Sequence, residues 1–276
     1  MEKSQVTHRL SLSDRLQYMK HSLNKQLVEI MVKKQTCLCL AVDCTTSKLV
    51  LKLAEEAAPY VCAIKIHVDI LKDFNTGFVS ALTDLAKEHD FVIFEDRKFA
   101  DTGSTVELQA TSGLYKINCW AHLVTLHSVP GQPILDAFRR IIQKPDSVLK
   151  GCLLVSELST KGALTDLRDY QASSLKLAEE NRDVVSGFIC QTRFSSDPSF
   201  LYWTPGVNLS ATTDGIGQQW RTINKAIVQD GNDIIIVGRA LTKSNDFRND
   251  VIKYKEASWN ALSLAEEANA FCGRDS

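Results

Sequence analysis

Eight short apolar runs recur along the chain: TCLCLAVD (36–43), YVCAIKIH (60–67), DFVIFEDRK (90–98), HLVTLH (122–127), GCLLVSEL (151–158), DVVSGFICQ (183–191), FLYWTPGV (200–207) and NDIIIVGRA (232–240). Short runs rich in Val and Ile predict strands buried on both faces, as in a parallel sheet. Between them, SKLVLKLAEEAAPY (47–60), VSALTDLAKEHD (79–90) and SLKLAEENRD (174–183) set apolar residues three and four apart with charges opposite. That spacing predicts helices with one buried face. A long helical pattern, 246–271, follows the last run. Residues 1–35 are polar, with Leu, Val, Ile and Met at roughly helical spacing, and predict one or two helices packed outside the main fold.

Strand and helix patterns alternating eight times without a linker-like break favour an α/β fold, a closed (β/α)8 TIM barrel. The chain is expected to divide into an N-terminal helical extension (1–35) and a barrel (36–276). An open doubly wound sheet is the alternative. No GxGxxG follows the first run, which removes its usual nucleotide signature.

Composition narrows the function without naming it. The chain has 276 residues, a formal net charge of −1 and 24% charged residues. A near-neutral chain is not a general binder of nucleic acid or acidic membrane. The eight cysteines fall mostly inside apolar runs, with no C-x-x-C and no zinc-finger spacing, and read as buried thiols of a cytoplasmic protein. The N-terminus lacks a continuous apolar stretch of the secretory kind, and no run approaches the length of a membrane span.

In such barrels the chemistry sits where the strands end. Here those ends carry Asp43, Lys65 and His67, Asp96 and Lys98, His127, Glu157 and Ser159, Gln191, Thr204-Pro205-Gly206 and Gly238-Arg239. Residues two apart on a strand share a face, so Lys65 pairs with His67 and Asp96 with Lys98 toward the barrel mouth. Glu95 and Arg97 face the helices. With Asp101 just beyond the strand, Lys65, Asp96 and Lys98 form an array in which neighbouring opposite charges hold one another ionised. Such an array presents a preorganised charged surface to a substrate. A solvated network of rim salt bridges, or two carboxylates holding Mg²⁺, would use the same residues. Gly238 and Arg239, after the eighth run, suit a phosphate group. His127, alone at the end of an apolar run, is expected to support the site rather than react.

Asp96-x-Lys98-x-x-Asp101 followed by Gly103 and Thr105 resembles the signature of the orotidine 5′-phosphate decarboxylases, and FEDRKFAD is close to its eukaryotic form. The likeness extends through KIHVDIL (65–71), SELSTKG (156–162), TPGV (204–207), GIGQQW (215–220) and DIIIVGRA (233–240). KKQTCLCLAVD resembles the entry to the decarboxylase half of animal UMP synthase. The resemblance implies conversion of orotidylate to UMP and CO₂, the last step of de novo pyrimidine nucleotide synthesis, without metal or cofactor. It implies Lys98 as proton donor to C6, with Asp96 and Lys65 beside the departing carboxylate. Asp101 and Thr105 would reach across a homodimer interface. Asp43, His67, Ser159, Pro205, Gln218, Gln219, Trp220, Gly238 and Arg239 would bind the nucleotide.

The match has departures. Trp220 stands for a tyrosine, Ala41 for a serine, Thr102 for an apolar residue, His122 for an aspartate, and Thr125-Leu126 for Asn-Ala. They leave a second reading open, a weakened paralogue that only binds nucleotide. A metal-dependent sugar-phosphate decarboxylase of similar fold is a third. TRFSSDPS (192–199), polar and turn-rich, is the expected closing loop.

Overall fold

Each apolar run supplies one strand of a closed parallel barrel in the order β1 to β8, with β1 pairing β8. The computed structural model describes residues 10–166, 168–209 and 221–272. The strands are β1 (Leu38–Ala41), β2 (Ala63–Ile66), β3 (Val92–Phe99), β4 (Leu123–His127), β5 (Gly151–Val155), β6 (Val185–Ile189), β7 (Leu201–Pro205) and β8 (Ile234–Val237). Nearly every strand residue is buried, because the inner face fills the barrel and the outer face meets helices.

Described helices are α1 (Leu12–Arg15), α2 (Ser22–Lys34), α3 (Ser47–Ala57), α4 (Thr76–His89), α5 (Gly103–Thr111), α6 (Gln132–Ile142), α7 (Arg168–Glu180), α8 (Arg239–Thr242) and α9 (Phe247–Cys272). Local chemistry fixes several ends. Asn75 Oδ1 accepts the Phe78 N–H at the start of α4 (3.0 Å), satisfying one of the donors a helix leaves open. Asp90 takes the left-handed conformation after it and pairs with Lys33 (2.6 Å).

The alternation is less regular than the sequence suggests. Residues 190–200 return from β6 to β7 without a helix, and the described part of the β7–β8 connection holds a short π-helix, Lys225–Gln229. The 192–199 segment is fastened to the barrel wall. Phe194 packs on Phe188 (4.8 Å between ring centroids) and Tyr202 (5.7 Å). The Arg193 guanidinium covers the Tyr202 ring and reaches Asp233 (3.4 Å).

α1 and α2 close the end of the barrel where the strands begin. Arg15 is fully buried, bridges both oxygens of Asp233 (2.6 and 3.1 Å) and donates to the carbonyls of Pro198 and Phe200. Asn24 of α2 donates to the carbonyls of Ser186 and Ser199. Leu23, Leu27, Val28 and Met31 join the central apolar cluster. His21 sits over Gly151, where any Cβ would come within 2.6 Å of the imidazole ring. Among the described residues no helix is long and apolar enough to cross a membrane.

Candidate active site

The open end of the barrel holds a cavity of about 230 Å³. Ten of the residues expected from the sequence line it: Asp43, Lys65, His67, Asp96, Lys98, Ser159, Pro205, Gly206, Gly238 and Arg239. They come from the ends of β1, β2, β3, β5, β7 and β8. The apolar residues Leu158, Ile189, Val207 and Ile236, with the small Ala41 and Ala240, complete the wall. Sequence reasoning missed these four, since nothing in an apolar strand end marks it as ligand-facing. One layer below, Phe94 of β3 and Trp203 of β7 meet edge to face across the barrel (5.6 Å), so the charged layer rests on an apolar floor.

Charge alternates across the cavity. Lys65 Nζ lies 2.9 Å from Asp43 and 3.3 Å from Asp96, and Lys98 Nζ lies 2.7 Å from the other Asp96 oxygen. His67 Nε2 approaches Asp96 to 3.5 Å. Burial works against both charges of the Lys65–Asp96 pair, yet the array overrides it. Asp96 and Asp43 hold the Lys65 ammonium above its ordinary pKa. Lys65, Lys98 and His67 hold the Asp96 carboxyl below the usual carboxylate range. Burial, aided by Lys65, lowers His67, and burial with Lys98 lowers His127, so both rings favour the neutral form.

Lys98 reaches this position through an unusual backbone. Its φ is +54°, a left-handed conformation uncommon for a residue with a side chain. Holding it costs on the order of 1–3 kcal/mol, and such strain concentrates at functional sites. The neighbouring outward residues serve the frame. Glu95 is fully buried and both its oxygens approach the Val68 N–H (3.2 and 3.0 Å), which secures the turn after His67. Burial pushes its carboxyl pKa up. Arg97 pairs with Asp69 (3.5 Å) on the same turn.

Asp101 and Thr105 do not join the cavity of the single chain. Asp101 is exposed and accepts the Thr102 N–H (2.7 Å) at the entry to α5. Gln218, Gln219 and Trp220 lie outside the described residues. Among the departures, Ala41 lines the cavity. His122 sits at the far end of β4, where Nδ1 accepts the Ile93 N–H (3.1 Å). Thr125 stands directly behind Asp96 and Lys98, its hydroxyl donating to Asp96 (2.8 Å) and accepting from the Lys98 N–H (2.9 Å). No residue of 192–199 lines the cavity.

Comparison with known proteins places the chain among relatives. The sequence pattern described as "Orotidine 5'-phosphate decarboxylase / HUMPS family" matches residues 36–254. A uridine 5'-monophosphate synthase of Caenorhabditis elegans is 47% identical over 94% of this chain, which spans 52% of that protein. An orotidine 5'-phosphate decarboxylase of Phycomyces blakesleeanus is 42% identical over 91% of this chain and 94% of its own length. Among solved structures, a putative orotidine-monophosphate-decarboxylase from Toxoplasma gondii superposes with a TM-score of 0.66 at 16% identity, covering 88% of this chain and 98% of that one. The Methanocaldococcus jannaschii orotidine 5'-monophosphate decarboxylase complexed with inhibitor BMP gives 0.59 at 23% identity, covering 80% and 98%. At these identities the structural likeness speaks for the fold.

Proposed function

The chain belongs to the orotidine 5'-phosphate decarboxylase / HUMPS family, and from that premise we propose that it decarboxylates orotidine 5'-monophosphate to UMP and CO₂. The observation that carries the mechanism is the Asp43–Lys65–Asp96–Lys98 array at the cavity wall. Loss of CO₂ from C6 leaves an electron pair that the pyrimidine ring cannot delocalise. A fixed ammonium beside that carbon stabilises the charge as it develops, without reorganisation, and then delivers a proton to it. In this reading Lys98 takes that role. It has one Asp96 contact at 2.7 Å and a side chain about one-third exposed to the cavity. Asp96, held ionised, faces the departing carboxylate and disfavours the bound ground state. Lys65, raised in pKa, keeps the two aspartates from repelling each other.

Arg239 and Gly238, at the end of β8, receive the phosphate. Binding there, remote from the chemistry, contributes to orienting the base. Asp43 and His67 contact the ribose side. Ser159 and Pro205, with Gln218, Gln219 and Trp220, hold the base and its link to the phosphate. The reaction so described requires no metal or cofactor.

The reading extends to a homodimer. Asp101 and Thr105 lie off the cavity, and the helix that follows Asp101 exposes Leu108 (63%) with Leu114 (72%) just beyond it. A second copy covering that surface would bring its own Asp101 and Thr105 to complete this cavity. The division into a helical extension at 1–35 and a catalytic barrel at 36–276 belongs to the same reading. So does a cytoplasmic location, with which the free thiols of Cys37, Cys39, Cys44, Cys62, Cys119, Cys152 and Cys190 agree.

Ultraviolet loss of orotidylate tests this, with and without EDTA, beside Lys98→Ala. Turnover indifferent to EDTA and reduced about 10³-fold or more in the variant is expected. An intact protein that binds UMP without turnover would leave a nucleotide-binding paralogue instead.

A further inference from the structure

β3 bulges against β4 at the site. Glu95 pairs with Val124 and Phe99 with Leu126, so Asp96, Arg97 and Lys98 together face the single residue Thr125. A bulge breaks the regular ladder and re-aims the side chains it carries. Here the re-aimed residues are the two charges nearest the reacting carbon. Thr125 is fully buried and does not line the cavity. Its one hydroxyl makes two directed bonds, accepting the Lys98 backbone N–H at 2.9 Å and donating to Asp96 Oδ1 at 2.8 Å. The same oxygen receives Lys98 Nζ at 2.7 Å.

We propose that Thr125 is a positioning residue that couples the left-handed backbone of Lys98 to the Asp96 carboxylate. The inference rests on the decarboxylase reading given above. A hydroxyl has one proton. With its oxygen occupied by the Lys98 amide, that proton is committed to Asp96. Each bond polarises the group for the other. The relay closes a ring from the Lys98 amide through Thr125 and Asp96 back to the Lys98 ammonium. Rotation of the carboxylate toward Lys65, or relaxation of the strained φ, would break it. An ordinary buried threonine needs one partner anywhere nearby, whereas this one has a required acceptor and a required donor on the two reacting-side residues. Since Thr125 does not line the cavity, its loss should act on the chemical step and leave nucleotide binding in place.

The test compares Thr125→Val, of the same shape without the hydroxyl, with Thr125→Ser, which keeps it. For Thr125→Val, kcat should fall about 10- to 100-fold, as displacement of a catalytic group near 1 Å does. KM and UMP affinity should stay within about threefold, since the binding contacts that set them are untouched. Thr125→Ser should retain most of kcat. Hydrogen exchange of the Lys98 amide, followed by NMR, should quicken in the Val variant and not in the Ser variant. If Thr125→Val does not fold, Thr125→Ala against Thr125→Ser supplies the same comparison. Equal kcat in the hydroxyl-free variant and wild type, or equal impairment in the Ser and hydroxyl-free variants, would overturn the proposal. A wild-type protein without turnover would sink the decarboxylase reading, while Lys98 exchange would still decide whether Thr125 holds that backbone.

Discussion

Replacing Lys65 with methionine is the sharpest probe of the charge array. Lys65 is 5% exposed, and its loss leaves Asp43 and Asp96 facing one another across an apolar thioether. At 3.3 Å, a pair of unit charges with an effective dielectric of 20 interacts by about 5 kcal/mol. Desolvation of the buried ammonium offsets part of that gain in the wild type. Asp43, with a side chain 45% exposed, is largely screened and adds little. Asp96 retains Lys98 at 2.7 Å, so its charge is not wholly abandoned. Breaking a buried pair typically costs about 3–5 kcal/mol, and the lower end, near 3 kcal/mol, is expected here. Urea denaturation of wild type, Lys65→Met, Asp96→Asn and the double variant, at one protein concentration, measures it. The double variant should be about 2 kcal/mol more stable than the summed single effects allow, because the uncompensated carboxylate is gone. A coupling below about 0.5 kcal/mol, or a Lys65→Met protein as stable as wild type, would refute the claim that Lys65 holds the aspartates together.

Three further outcomes are expected. Arg15→Met should lower stability by about 3 kcal/mol, the lower end for a broken buried pair, because Asp233 loses its two Arg15 contacts and keeps the longer one to Arg193; kcat and KM should be unchanged well below the melting temperature, and an altered kcat would mean the floor communicates with the rim. His21, 5% exposed and held by burial at about 4 when folded, takes up a proton first in the unfolded chain. Stability should therefore fall as pH drops from about 6.5 to about 4, by up to ~3 kcal/mol, and His21→Gln should flatten that slope in urea titrations across the range. Arg239→Ala should raise KM for orotidylate about 10- to 100-fold through loss of charge-assisted hydrogen bonds to phosphate. An unchanged KM in steady-state assays would remove Arg239 from the phosphate site.

The strands were legible because burial on both faces leaves short apolar runs, and their length, Val and Ile content and regular alternation with helical patterns together mark them as strands. The charged wall was legible for a related reason: strand periodicity alone sends Lys65 with His67 and Asp96 with Lys98 to one side. What escaped was whatever depends on distant segments. The 192–199 segment was readable as a loop, but its docking on the barrel wall through Phe194 and Arg193 against Tyr202 is a contact invisible in TRFSSDPS. The bulge opposite Thr125 breaks the alternation that made Asp96 and Lys98 readable, and only the paired strands reveal it. Residues 1–35 looked like an appendage, since a buried Arg15 reads from sequence as a solvated charge.

The bond from the Leu12 N–H to Glu266 in α9 (2.8 Å) brings the first and last helices together on the side of the molecule opposite the cavity. α1 and the last turns of α9 are thereby tied to one another away from the working face. Strain or substitution in that belt of helices is thus absorbed at the base of the barrel, a strand's length from the charged mouth.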